Sequence, residues 1–181
     1  MMKRTRCLTL CGALSALTVA VLYLGSLVEV LDLVTALVGA CLVAMAVIEM
    51  GRVWALGMLT ATSLLALLLL PNKFVGLTYC LMALCTLLKS IWERLSPALS
   101  WLGKYLSFNL LYAATLAVSL FVLGMELDTL VVFGVQIPPY GVILALVLAG
   151  NLLYLLCDVA LTRLIAVYYA RYHTRVARWL K

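Results

Sequence analysis

CLTLCGALSALTVAVLYLGSL, running from Cys7 to Leu27, decides the fold. The stretch carries no charged residue. A helix needs roughly 20 apolar residues to cross a hydrocarbon core of about 30 Å, so the run is long enough to span a bilayer. Lys3, Arg4 and Arg6 stand before it, and Glu29 and Asp32 stand just after it. The basic flank imitates the leader of a secreted protein. The run is long, however, more apolar runs follow, and no convincing processing site occurs, so the stretch reads as a retained first span.

The same ruler, moved along the chain, finds five further spans. They cover about Leu31–Glu49, Val53–Leu70, Phe74–Lys89, Tyr105–Gly124, and Gly141 to near Tyr169. The expected fold is therefore all-α: a polytopic membrane protein with six transmembrane helices in a single domain over residues 1–181. Composition agrees. The 181 residues are 67% hydrophobic and 11% charged, whereas soluble domains average about 25% charged. A soluble fold of this length could not hide so much apolar surface. The surplus of positive charge fits loops and anionic headgroups better than nucleic acid.

The connections differ in kind. Val28–Val30, Met50–Arg52 and Pro71–Lys73 are tight. Residues of about 90–104 alternate polar and apolar at helical spacing, with Trp92 and Trp101 as expected interfacial anchors, and read as an amphipathic cytoplasmic loop. Met125–Tyr140 reads as an external, partly apolar loop able to fold back over the bundle, stopped by Pro138 and Pro139. The last stretch, about 165–181, reads as a basic helix extension, with Arg171, Arg175 and Arg178 on one face toward anionic lipid.

Charge sets the expected orientation. With six spans, one side of the bilayer holds Lys3, Arg4, Arg6, Arg52, Lys89, Arg94, Lys104, Arg163, Arg171, Arg175, Arg178 and Lys181, and the other holds only Lys73 among the 13 basic residues. The opposite side also carries Glu29, Asp32, Glu126 and Asp128. The positive-inside rule then places both termini in the cytoplasm of a plasma-membrane protein.

Catalytic chemistry finds little to stand on. The only histidine is His173, and no HExxH, GxSxG or phosphate-binding loop occurs. No catalytic residue, metal site or cofactor is expected. The six cysteines (Cys7, Cys11, Cys41, Cys80, Cys85 and Cys157) lie in or beside apolar runs without a CxxC, and read as small packing residues. The charge buried deepest is Asp158, expected in a structural ion pair with Arg163, Arg52 or Lys89; Arg163 lies one and a half turns on in the same helix. Asn109 and Asn151 are amides inside spans, expected to point inward and bond across helices, with ligand contact an alternative for Asn151. The external rim collects Glu29, Asp32, Asn72, Lys73 and Tyr79 as candidate substrate contacts, with Lys73 placed to meet an anion or to pair with Glu29 or Asp32. Gly12, Ala16 and Ala20 stand four apart on the first helix, a spacing that lets another helix approach closely.

Six short spans with that small-residue face resemble the substrate-binding (S) components of energy-coupling factor transporters. The resemblance covers most of the chain in layout. Its one motif is an Ala-xxx-Ala pattern, in which Gly12 here replaces an alanine, and the first external loop is short for a lid. It implies a vitamin-like small molecule bound from outside, a transmembrane coupling subunit docked on Gly12, Ala16 and Ala20, and partner ATPases as the energy source. The Leu-Leu-Leu-Leu-Pro-Asn-Lys segment ending at Lys73 also resembles small Firmicutes membrane proteins, a likeness that transfers no activity. The competing expectation is a non-catalytic scaffold similar to the rod-shape-determining MreD type.

Overall fold

The computed structural model describes residues 2–28, 31–121, 130–132, 135–137 and 139–171. Six helices follow in chain order: α1 (Met2–Gly25), α2 (Asp32–Met50), α3 (Arg52–Leu69), α4 (Lys73–Trp92), α5 (Pro97–Phe121) and α6 (Pro139–Arg171). All six are long and apolar enough to cross a membrane, which is the architecture of a multi-pass membrane protein. Two three-residue strands, β1 (Leu130–Val132) and β2 (Val135–Ile137), pair antiparallel between α5 and α6, inside the segment read as an external loop.

Local chemistry sets the boundaries. Pro97 and Pro139 open α5 and α6, where a missing backbone N–H costs nothing and the fixed φ suits the first turn. α2 and α3 are separated by Gly51 alone, whose φ of 91° reverses the chain in one residue. That left-handed conformation strains any residue with a Cβ. Between α3 and α4 the corner Pro71-Asn72-Lys73 is fully engaged. The Asn72 side chain caps α4 by accepting from Phe74 N at 3.0 Å and donates to Asp32 Oδ2 at 3.1 Å. Lys73 Nζ donates to the carbonyls of Leu67 at 2.8 Å and Leu70 at 2.9 Å, closing the end of α3.

The expected amphipathic stretch over about 90–104 spans the turn between α4 and α5. α4 continues to Trp92 and α5 starts at Pro97, so most of that stretch is helix. Most of its residues from Ile91 to Leu102 are exposed, while Ser100 and Gly103 are buried. The Trp92 ring rests on Gly103, while Trp101 is 63% exposed and stacks on Tyr105 with ring centroids 4.6 Å apart. The expected basic extension lies beyond the described residues from 172 onward.

α4 is the axis of the bundle. Its buried side chains include Val75, Tyr79, Ala83 and Leu87, which meet Leu22 of α1, Val43 of α2 and Met58 of α3. α6 packs on α2 and α4 through Cys157 and Leu161 against Ala40 and Met82. The outer faces of the other helices expose leucine and valine, as helices solvated by lipid do. Serine and threonine hydroxyls inside the helices donate to carbonyls three or four residues back, as Thr18 does to Leu14 O at 2.8 Å. Helices alternate direction, so two ends can be named: the Pro71 end and the Lys89 end.

Candidate functional site

Three helices diverge toward the Pro71 end. A cavity of about 550 Å³ opens there among the first turns of α4, the second half of α5 and the start of α6. Phe74, Leu77 and Thr78 line it from α4; Ala113, Leu116, Ala117 and Phe121 from α5; Ile143, Leu146 and Val147 from α6. Ligand pockets run about 300–1,000 Å³ with mostly apolar walls and a few placed polar groups, and this cavity fits that description.

Asn109 lines its floor and pairs with Asn151 behind it. Asn109 Nδ2 donates to Asn151 Oδ1 and Asn151 Nδ2 to Asn109 Oδ1, each at 3.0 Å. The second proton of each amide goes to its own helix, Asn109 to Tyr105 O and Asn151 to Val147 O, both at 2.9 Å. Interhelical bonding was the expected role, and each amide is satisfied in it. Tyr112 closes one side by donating to Leu146 O at 3.1 Å. Replacing Asn109 by Leu is expected to strand the Asn151 amide and to cost about 1–2 kcal/mol. Asn109→Leu with Asn151→Leu is expected to recover part of that loss, measured by thermal unfolding in detergent.

Beneath the amides lies an aromatic layer. Phe108 stacks on Tyr154 at 4.2 Å between centroids, Tyr105 meets Tyr154 edge-on at 5.7 Å, and Phe108 stacks on Tyr112 at 5.4 Å. Beneath that again, four charges alternate in a ring at the Lys89 end. Lys89 Nζ lies 2.5 Å from Asp158 Oδ1 and 3.7 Å from Glu93 Oε1. Lys104 Nζ lies 2.9 Å from the same Glu93 oxygen and 3.8 Å from Asp158 Oδ2. Lys89 also donates to Asp158 O at 3.0 Å and Thr162 Oγ1 at 2.6 Å, so all three ammonium protons are used. Two cations and two carboxylates, from α4 and the Glu93 that follows it, from α5 and from α6, leave the ring formally neutral.

No protein-family model, no curated protein and no solved structure matches this chain. Geometry and chemistry therefore carry the functional reading.

Several expected site residues fall elsewhere. Of the three bases expected for Asp158, Lys89 is its partner, joined by Lys104, and Arg163 is not. Five residues of helix turn by about 140°, which carries Arg163 away from Asp158 and leaves it exposed. Tyr79 is not on a rim. It is fully buried, and its hydroxyl lies 2.6 Å from Thr62 Oγ1. Asn72 and Lys73 build the α3–α4 corner and Asp32 receives the Asn72 amide, so Lys73 meets carbonyls where an acid was expected. Glu29 lies outside the described residues. Asn151 sits under the cavity as the partner of Asn109.

Gly12, Ala16 and Ala20 are exposed, and a Cβ placed on Gly12 would touch nothing within 4 Å. Beside them runs a groove between α1 and α3, lined by Cys11, Gly12 and Ser15 on one side and Gly57, Met58 and Ala61 on the other. All six cysteines are free thiols, and no cluster of metal-ligating side chains occurs among the described residues.

Sequence reading missed the cavity wall and the depth of Lys89, although Lys89 stood among the expected partners of Asp158. Ala113 and Ala117 stand four apart on α5, as Gly12 and Ala16 do on α1, and that repeated spacing marked a second open face. Lys89 was assigned to a span end because it closes an apolar run. Its signal was Asp158, the one acid set deep inside the sixth run.

Proposed function

We propose that this chain is the membrane-embedded ligand-binding subunit of an uptake system, lying in the plasma membrane with both termini cytoplasmic. The cavity of about 550 Å³ among α4, α5 and α6 carries the reading. The positive-inside orientation puts the Pro71 end outside, so a small, vitamin-like molecule enters from the external leaflet. Amides, aromatics and the charge ring stack beneath the cavity and close its inner end. Energy for release inward would come from partner ATPases through a coupling subunit docked on Gly12, Ala16 and Ala20, the face that the bundle leaves uncovered.

The test is co-purification with small-molecule mass spectrometry. The expected result is a bound molecule retained by the native chain and lost on Ala117→Trp, which fills the cavity. Gly12→Leu is expected to leave that molecule bound and to abolish recovery of a coupling subunit. A native chain that retains nothing, together with uptake unaffected by its deletion, would overturn the proposal. The α1–α3 groove also suits a second reading, a non-catalytic scaffold of the MreD type, since small residues on two adjacent helices admit a partner helix. Recovery of morphogenesis proteins, lost with Gly12→Leu and indifferent to Ala117→Trp, would favour it.

A further inference from the structure

The polar atoms around the cavity limit what it can hold. Asn109 has both amide protons and its oxygen engaged within the protein. Tyr112 donates to Leu146 O, Thr115 to Leu111 O at 2.9 Å, and Ser119 to Thr115 O at 2.9 Å. Thr78 alone among the hydroxyls of the wall makes no hydrogen bond within the described residues. No charged side chain lines the cavity among those residues. The nearest lysine along α4, Lys73, is turned back to the carbonyls that end α3.

We infer that the cavity takes an uncharged, mainly hydrocarbon molecule bearing at most a hydroxyl or similar neutral group, which Thr78 meets. This rests on the reading of the cavity as the ligand site and narrows it. A carboxylate, phosphate or ammonium placed against these walls would lose its water and find no counter-charge, a loss that apolar contact cannot offset. A neutral chain loses little hydration and gains contact with Leu116, Ile143 and Leu146. A single hydroxyl is served by Thr78 as donor or acceptor, and by the remaining lone pairs of Thr115 and Ser119 as acceptors. Among the described residues the wall therefore selects by what it withholds: apart from Thr78 it offers no free donor, and it carries no charge.

The probe set is a diazirine-bearing fatty alcohol with the carboxylate and the amine of the same chain. Each is applied to the full-length protein in nanodiscs of phosphatidylcholine, and cross-links are mapped by peptide mass spectrometry. The alcohol is expected to label the Ala113–Phe121 and Ile143–Val147 peptides saturably, at least about tenfold more than either charged probe. Unlabelled alcohol is expected to compete. Ala117→Trp or, as a second variant, Ala113→Phe is expected to abolish the cavity labelling, while Leu148→Trp on the exposed face of α6 leaves it unchanged. Saturable labelling of the same peptides by the carboxylate or the amine at equal strength would overturn the neutral class and leave the binding reading standing. Labelling by all three probes that rises without saturation marks ordinary lipid solvation and overturns both.

Discussion

Asp158→Leu is expected to destabilise the bundle by about 3–5 kcal/mol, the usual cost of stranding a buried charge. The stranded group is Lys89, which is 4% exposed and surrounded by α4 and α6. Its remaining partners would be the main-chain carbonyl of residue 158, Thr162 and a Glu93 oxygen 3.7 Å away, only the last of them charged. The reverse change is milder. Lys89→Met leaves Asp158 with a quarter of its side chain exposed and with Lys104 at 3.8 Å, ready to close. It is expected to cost about half as much. Lys89→Met combined with Asp158→Leu removes both charges and leaves packed apolar chains. It is expected to return stability to within about 1 kcal/mol of the native chain, since well-packed apolar replacements of buried ion pairs are often neutral. Equilibrium unfolding in a denaturing detergent series measures all three. An additive double would show that the pair is not coupled as its geometry requires, and equal losses for the two single substitutions would show that Lys104 and solvent do not relieve Asp158.

The charge ring also shows where the sequence was legible and where it was not. The helices were readable because length and apolarity are local properties. The first span was expected at Cys7–Leu27 and α1 runs Met2–Gly25; the third was expected at Val53–Leu70 and α3 runs Arg52–Leu69. Side-chain partners were readable only as a short set, because the choice depends on which helix faces which, and Arg163, Arg52 and Lys89 all stood open for Asp158. Asp158 has a basic neighbour in sequence, Arg163, and its partner in space lies 69 residues away. The corner Pro71-Asn72-Lys73 was correctly read as a tight turn, and its residues were then assigned outward to a ligand. A turn that short leaves exposed carbonyls at the end of α3, and Lys73 is the residue within reach of them. The exposed face of α1 could not be inferred either way, since Gly12, Ala16 and Ala20 suit an internal contact as well as a free one. The cavity was least legible of all, because it is a gap between helices and its wall is made of residues ordinary for any membrane helix.

Tyr79→Ala carries the second large expectation, a loss of about 3–5 kcal/mol, as for other large aromatic truncations in packed interiors. The ring is the largest fully buried side chain of the bundle. It lies across Gly39 of α2 so closely that a Cβ there would come within 2.8 Å of Tyr79 Cδ2, and 3.4 Å from Thr18 of α1. Its hydroxyl meets Thr62 of α3 at 2.6 Å. One side chain of α4 therefore locks α2 and α3 in register, within the core that also takes in Leu22 of α1. Gly39→Val is expected to be destabilising by about 1–3 kcal/mol for the opposite reason, overpacking against a rigid ring that has no room to yield. Tyr79→Phe keeps the ring and removes one hydrogen bond, for an expected loss of about 1 kcal/mol. These three changes separate the two roles that Tyr79 can be given. A residue of an external rim would tolerate Tyr79→Ala in thermal unfolding and fail in ligand binding. A keystone of the core fails in unfolding first, with Tyr79→Phe binding ligand as the native chain does. Loss of binding in a Tyr79→Phe protein of native stability would return Tyr79 to the ligand site.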